Sequence, residues 1–226
     1  MMRFNTLCQQ MIDAWISCDP ADGPEKIYGE LQARLGIRMR LSMLEVDGPD
    51  PHNWYLRRIR SSRISARLLN LEALFKDGRL RDFDDQAYLE DAVYPIYRTV
   101  AERRQPHIDL VETRLVGMRV VYDRILLPHK SASCSWMLSC TNGRFMARLP
   151  DTNIVVDPTD EAILENLLNG CSAKEIAAEL NLSPRTIEHR LEKLKGKFGA
   201  KSLPHLAAMF VASGFTKSIE FTPEPS

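Results

Sequence analysis

The sequence has no long apolar run, no net charge and no paired cysteine motif. No stretch approaches the ~20 apolar residues that a membrane-spanning helix needs, so we expect no membrane contact. Thirty basic side chains balance thirty acidic ones, which argues against a protein that coats nucleic acid non-specifically. The five cysteines form no CxxC pair and no secretory signal is recognisable, so we expect reduced thiols in the cytoplasm.

Catalytic motifs are also missing. The chain has no GxSxG, HExxH or GxGxxG, and Gly196-Lys197 lacks the upstream glycine of a phosphate-binding loop. No pattern joins a nucleophile to a base, so we expect no enzyme activity. With 226 residues, of which 44% are apolar and 27% charged, the composition is that of an ordinary globular protein with one large or two small domains.

The most informative stretch, residues 170–199, predicts two short helices joined by a tight turn. Ser172 and Glu175 have the spacing of a capping box, which predicts a helix beginning after Ser172. Ser183 followed by Pro184 predicts the start of the second helix. One side of that helix would be buried, because apolar residues recur with helical spacing: Ile187, Leu191, Leu194 and Phe198. The pattern is typical of a helix-turn-helix whose second helix lies in the major groove of DNA.

Polar and basic side chains lie on the opposite side of this second helix. Residues 183–201 contain six Lys or Arg against two Glu, which favours binding to phosphates. We predict that four residues reach base edges: Arg185, Glu188, His189 and Glu192. We predict that five residues hold phosphates: Lys174, Thr186, Arg190, Lys193 and Lys197. Ser183 completes the predicted DNA-binding set.

Residues 156–214 resemble the LuxR/FixJ-type helix-turn-helix. Residues 170–177, GCSAKEIA, are close to the family's GxSNKEIA, and residues 183–187, SPRTI, follow its SxxTV. The chain departs from the family pattern at three positions on the DNA-facing side: Glu188, Arg190 and Glu192. The family's base contacts therefore do not transfer, and the operator sequence stays open. The resemblance implies a transcriptional regulator that binds double-stranded DNA, with the last helix of the domain as a dimer contact.

The first two thirds of the chain predict an α+β order of elements. Residues 3–16 have the period of an amphipathic helix, which either dimerises the protein or covers its own sheet. Further helices are predicted over 25–35, 65–75 and 86–102, the last kinked or divided at Pro95. Strands are predicted over 37–46, 54–59, 108–127 (broken at Gly117) and 133–140.

Residues 121–128, VYDRILLP, resemble the late strand Tyr-x-Arg-x-x-x-Pro-Leu of a bacterial branch of the PAS fold, with His129 in place of the usual Leu. The resemblance covers about residues 25–145. It implies a sheet whose inner face holds a ligand or cofactor, or serves as a dimer platform. The sequence does not identify that cofactor or effector, because the flavin-adduct motif is absent and His107 and His129 fit loop positions better than haem ligands. Five aromatic residues are candidates either for a pocket wall or for plain core: Trp54, Tyr88, Tyr97, Tyr122 and Trp136.

We therefore predict an α+β protein with five segments. These are an N-terminal helix and turn (1–24), a PAS-like sensor and dimerisation domain (25–146), a linker (147–157), a four-helix LuxR-type domain (158–216) and a disordered tail (217–226). The predicted function is a homodimeric, sequence-specific transcriptional regulator controlled by a small-molecule or protein effector at the PAS-like domain. Two alternatives stay open. One is a regulator that responds to acyl-homoserine lactones, and the other is an interaction module that sequesters a partner regulator without binding DNA.

Overall fold

The computed structural model describes residues 2–62, 70–131, 133–148 and 154–213, which divide into two compact units. The first contains the residues up to 146 except 117–119, and the second contains 117–119 and the residues from 147 onward. The predicted α+β class is confirmed, because the first unit is a sheet with helices and the second is helical. The predicted segment boundaries remain predictions. The centre of the predicted linker and the whole predicted tail lie outside the described residues.

The first unit begins with the amphipathic helix α1 (Phe4–Ser17). Its apolar side is buried against one face of the sheet, where it joins a cluster that includes Leu41, Ile125 and Leu138. The indole N–H of Trp15 also donates a 2.6 Å hydrogen bond to the carbonyl of Pro128. Of the two roles predicted for this helix, covering its own sheet is the one that the structure shows.

Short helices connect the strands of the first unit. They are α2 (Glu25–Tyr28), α3 (Leu71–Leu74), α4 (Gln86–Ala92) and α5 (Tyr94–Arg103), with 3₁₀ turns at Gln32–Arg34, Pro51–Asn53 and Leu80–Asp82. Pro95 lies in the first turn of α5, where a missing N–H costs nothing, so the predicted division of this segment is confirmed. The helix predicted over 25–35 is interrupted after Tyr28, although Ile27, Leu31 and Leu35 are all buried. The helix predicted over 65–75 lies partly outside the described residues.

The described residues of this unit form a six-stranded sheet. Its strands are β1 (Met39–Glu45), β2 (Tyr55–Arg60), β3 (Gly78–Arg79), β4 (His107–Leu115), β5 (Met118–Pro128) and β6 (Trp136–Arg148). The order is β3-β2-β1-β6-β5-β4, with β1 antiparallel to both β2 and β6. The predicted break at Gly117 is confirmed, because Val116 and Gly117 have φ values of 48° and 71° and form the tight turn between β4 and β5.

Alternation of side chains gives the central strands two chemically different faces. One face is apolar and packs on α1. The other carries polar residues that line a cavity, namely Arg40, Ser42, Tyr122, Arg124, Ser139 and Thr141. The register places Arg40 opposite Thr141 and Ser42 opposite Ser139, so the polar groups of β1 and β6 are cross-strand neighbours.

The second unit consists of α6 (Pro158–Leu168), α7 (Ala173–Glu179), α8 (Pro184–Phe198) and α9 (Leu203–Ser213). Apolar side chains from all four helices form one core, which includes Leu164, Ile176, Leu194 and Phe210. This core fixes the side of α8 that is turned inward. None of the helices that the structure describes is long and apolar enough to cross a membrane.

Candidate nucleic-acid interface

The turn between α7 and α8 is set by local hydrogen bonds. The backbone N–H of Ser172 donates to the Glu175 carboxylate at 2.7 Å, and the N–H of Glu175 donates to the Ser172 hydroxyl at 3.4 Å. The predicted capping box is therefore confirmed. At the other end of α7, Asn181 has a φ of 53° and the N–H of Leu182 bonds to the carbonyl of Ala177 at 2.9 Å, which closes the helix.

Helix α8 starts and ends at the residues that the sequence indicates. The Ser183 hydroxyl accepts the N–H of Thr186 at 3.1 Å, Pro184 occupies the first helical position, and Gly199 ends the helix with a φ of 62°. The predicted inward stripe of Ile187, Leu191, Leu194 and Phe198 is buried. Both ends and one side of α8 are thus fixed, so the opposite side has a defined orientation.

That opposite side carries the predicted base-reading residues. Arg185, Glu188, His189, Glu192 and Lys193 are all exposed, as is Lys174 on α7. Within the described residues, Glu192 pairs with Lys195 at 2.8 Å, whereas the side chains of Arg185, Glu188, His189 and Lys193 have no hydrogen-bond or ion-pair partner. The surface therefore offers donors and acceptors of the kind that bind base edges and phosphates.

Arg190 and Lys197, two of the predicted phosphate contacts, have partners inside the unit. Arg190 Nη1 lies 2.6 Å from the Asp160 carboxylate and 3.0 Å from that of Asp157, and Lys197 Nζ lies 3.4 Å from Asp160. Asp160 is only 5% exposed, so its charge needs these cations. The bonds to Asp160 and then Asp157 raise the pKa of Arg190. This cluster anchors α8 to the start of α6, and the predicted contacts of Arg190 and Lys197 with phosphates remain predictions.

Residues 158–210 match the family described as "Bacterial regulatory proteins, luxR family". They form a LuxR-family helix-turn-helix domain. The chain is 41% identical over 59 residues to the transcriptional regulatory protein FixJ of Rhizobium meliloti, a match that covers 26% of this chain and 29% of that protein. FixJ of Azorhizobium caulinodans is 38% identical over 64 residues, which covers 28% of this chain and 30% of that protein.

The chain thus spans less than a third of the length of these curated relatives. A solved structure of the Vibrio cholera VqmA–ligand–DNA complex aligns with 83% of this chain and 88% of its own, at 16% identity and a TM-score of 0.34. The family assignment therefore rests on the LuxR-family domain and does not extend to the first unit.

The first unit contains a second candidate site, a cavity of about 420 Å³ between the polar face of the sheet and helices α4 and α5. Its volume is within the range of small-molecule sites. Of the five aromatic residues considered from the sequence, Tyr88, Tyr97 and Tyr122 line it. Trp54 is instead buried with its indole N–H bonded to the carbonyl of Gly48, and Trp136 stacks on His129.

Four arginines and no carboxylate are among the described residues that line this cavity: Arg38, Arg40, Arg124 and Arg144. Arg124 donates to both oxygens of Asp109, at 3.0 and 2.6 Å, and to the carbonyl of Ala92. Burial alone would lower the pKa of Arg124, but the bonds to Asp109 and the nearby tyrosines raise it. Arg144 pairs with Asp123 at 2.7 Å. Two of the four charges are therefore neutralised by carboxylates outside the cavity wall.

Arg40 is in a different position. It donates a 3.0 Å hydrogen bond to the carbonyl of Phe75, and its guanidinium lies 4.6 Å from the centre of the Phe75 ring. Among the described residues no carboxylate lies within ion-pair distance of it, and the charge of Asp77 acts on it only from further away. Burial lowers the pKa of Arg40 to about 10. The sequence analysis did not single out Arg40. A charged residue between apolar neighbours in a predicted strand was the signal that could have found it.

The tyrosine hydroxyls in the cavity wall are paired with other neutral groups. The hydroxyls of Tyr88 and Tyr122 lie 2.8 Å apart, and that of Tyr97 donates to Ser139 at 3.2 Å. Burial raises the pKa of Tyr88 to about 12. The wall thus presents protonated phenols and arginines. Both ring nitrogens of His129 are occupied, by Ser135 and by the carbonyl of Pro20, and the described residues contain no group of three His, Cys, Asp or Glu placed to hold a metal.

Proposed function

We propose that the protein is a sequence-specific DNA-binding transcriptional regulator that acts in the cytoplasm. The observation that carries the proposal is the exposed polar side of α8 within a LuxR-family domain, where Arg185, His189 and Lys193 have no partner among the described residues. Helix α8 would lie in the major groove with its N-terminal half nearest the bases. Arg185, Glu188, His189 and Glu192 would read base edges, while Lys174 and Lys193 would bind phosphates.

The first unit would act as a PAS-like sensor. Without the two-residue β3, the strand order is β2-β1-β6-β5-β4. Helices α3 to α5 lie between β2 and β4 in the chain. A PAS-like domain has this connectivity, and the cavity lies on the sheet face that such a domain uses for a ligand. We infer that an effector in this cavity controls binding to DNA.

The active form would be a homodimer. Helix α9 exposes two large apolar side chains, Leu203 at 36% and Val211 at 38%, spaced eight residues apart on one side of the helix. We infer that this side of α9 contacts the second protomer, as the resemblance to the LuxR/FixJ type implies for the last helix of the domain. A dimer would present two copies of α8 to two half-sites about one helical turn apart.

A receptor for acyl-homoserine lactones is not favoured. Receptors of that class pair a tryptophan with a tyrosine in the pocket, but Trp54 does not line the cavity and its indole N–H donates to the carbonyl of Gly48. The sequestering module differs from the regulator in one measurable property, because it would not bind duplex DNA.

Binding to DNA tests the proposal directly. Duplexes selected from a random pool with the full chain are titrated by fluorescence anisotropy at several salt concentrations. We expect His189→Ala to lose about 1–3 kcal/mol of binding free energy on the selected sequence and little on others. We expect Lys193→Ala to weaken all sequences alike and to reduce the salt slope by about one.

Lys76→Ala is the matched control, because Lys76 is an exposed lysine of the first unit. It should leave both the affinity and the salt slope unchanged. If the wild-type chain binds no duplex even at low salt, the sequestering module replaces the regulator. If Lys193→Ala leaves the salt slope at its wild-type value, the phosphate role of Lys193 is wrong.

A further inference from the structure

We propose that the cavity of the first unit binds a small organic carboxylate, whose negative group contacts Arg40 and whose apolar body lies against the aromatic wall. This inference deepens the proposed function, since it names the chemical class of the effector that the sensor would bind.

The described lining of the cavity carries an excess of positive charge. Of the four lining arginines, Arg124 and Arg144 are neutralised by Asp109 and Asp123. Arg38 donates only to the backbone carbonyl of Arg144, at 3.1 Å, and Arg40 only to that of Phe75. Two positive charges therefore meet the cavity without a carboxylate partner among the described residues. A ligand with one negative charge would neutralise one of these two charges.

Arg40 lies among hydroxyl groups that suit a carboxylate ligand. Arg40 lies on the central strand β1, opposite Thr141 and next to the Ser42–Ser139 pair. A carboxylate there would accept bonds from the guanidinium and from nearby hydroxyls, and charge-assisted bonds of this kind are strong when water is excluded. Burial disfavours the charge of Arg40 and lowers its pKa, so a bound anion would also relieve that cost.

The rest of the wall indicates the body of the ligand. Phe75 meets Phe83 and Tyr88 edge to face, with ring centroids 6.0 and 5.8 Å apart. Leu56, Leu80, Leu89 and Val93 add aliphatic surface. Such a wall favours an apolar chain or ring over a polyanion, which would need more than two free cations. A carboxylate on an apolar body fits both ends of the site.

Three acid and amide pairs test this class without knowledge of the natural effector. The probes are benzoate and benzamide, indole-3-acetate and indole-3-acetamide, and octanoate and octanamide. Each amide has the shape of its acid but no charge. Binding to the full chain is measured by calorimetry and by the shift of the thermal midpoint. We expect at least one acid to bind about tenfold or more tightly than its amide.

Arg40→Gln should abolish this preference for the acid. Arg98→Gln is the matched control, because Arg98 is exposed on α5 and does not line the cavity. It should retain the preference. Arg40→Lys keeps the charge and loses the planar fork, so it should bind acids with intermediate affinity. The comparison of acid with amide on the wild-type chain remains decisive if Arg40→Gln does not fold.

Equal binding of acids and amides, retention of the preference in Arg40→Gln, or no binding of any acid up to about 10 mM would each overturn the inference. The same preparations are titrated with the selected duplex. DNA binding without a preference for acids overturns the carboxylate site and leaves the regulator intact. A preference for acids that depends on Arg40, in a chain that binds no duplex, supports the carboxylate site and overturns the regulator.

Discussion

The two units of this protein are stabilised over very different distances along the chain. In the LuxR-family domain, Ser172 contacts Glu175, Ser183 contacts Thr186, and the buried stripe of α8 recurs every three or four residues. In the first unit, Trp15 bonds to Pro128, 113 residues away, and Arg40 faces Thr141 across the sheet. Local contacts can be inferred from sequence patterns, whereas contacts between distant strands require the register of the sheet.

The units also differ in the location of their unpaired charges. In the LuxR-family domain these charges are exposed on α8, where a large polyanion can reach them. In the first unit they line a cavity with the volume of a small-molecule site. One region is therefore suited to a macromolecular surface and the other to a small ligand. Tryptophan and tyrosine fluorescence reports only the first unit, because all three tryptophans and all six tyrosines precede residue 146.

The largest expected difference between the units comes from a substitution that creates a cavity in the core of the second unit. Leu194→Ala removes a fully buried side chain of α8, and we expect it to lower the free energy of unfolding of the LuxR-family domain by about 3 kcal/mol, in a range of about 2–5. Urea denaturation followed by circular dichroism at 222 nm, to which the helices of both units contribute, measures this loss as a transition that moves to lower urea. Tryptophan fluorescence, which reports only the first unit, should keep its midpoint.

Lys193→Ala changes the neighbouring exposed position of α8 and should leave both midpoints unchanged. A fluorescence midpoint that moves as far as the dichroism midpoint in Leu194→Ala would show that the units unfold together. The comparison between them would then not hold for stability.

A smaller effect is expected from Arg124→Gln in the first unit. Its guanidinium joins β5 to Asp109 on β4 and to the carbonyl of Ala92 at the end of α4, and its side chain is only 4% exposed. Losing bonds to a charged group should cost about 2 kcal/mol. Here tryptophan fluorescence should report the loss. Arg98→Gln, an exposed arginine on α5, is the control, and an equal cost for both variants would contradict the role given to Arg124.

The smallest expected effect is a loss of stability at alkaline pH that is confined to the first unit. Burial raises the pKa of Cys8 to about 11 and that of Tyr88 to about 12. In the unfolded chain a thiol ionises near 8.5, so the unfolded state loses its proton first and is favoured as pH rises. The stability is complete below about pH 8.5 and should fall by about 1 kcal/mol for a buried thiol by about pH 9.5.

Fluorescence-detected unfolding at about pH 8, 9 and 9.5 measures this slope. Cys8→Ala should reduce the slope, whatever it does to stability at neutral pH. An unchanged slope in Cys8→Ala would show that other groups cause the loss. The LuxR-family domain has no tyrosine and one cysteine, Cys171, so we expect its stability to change less with pH.

The sequence predicted most of the LuxR-family domain because its determinants are neighbours in the chain. The capping residues, the left-handed Asn181 and the inward stripe of α8 all follow from spacing. The anchoring of Arg190 did not, because its bond to Asp160 crosses 30 residues between two helices. Hydrophobic period places a residue on a face, but it does not show which acid is packed beside it.

In the first unit the sequence predicted elements better than the site. The α1 helix, the division at Pro95 and the turn at Gly117 were predicted from local signals. The pairing of Arg40 with Thr141 depends on β1 lying beside β6, which are separated by about ninety residues of chain. The free charge in the cavity therefore becomes visible only when the strand order is known.

Asp157 has two functions at the point where the chain enters the LuxR-family domain. Its carboxylate caps α6 by accepting the N–H of Asp160 at 2.8 Å, and the same carboxylate holds Arg190 in the middle of α8. A displacement of Asp157 would therefore act on Arg190 directly, in addition to any change carried by the packed core. The residue that starts the first helix of the domain is thereby tied to the middle of the helix proposed to enter the groove.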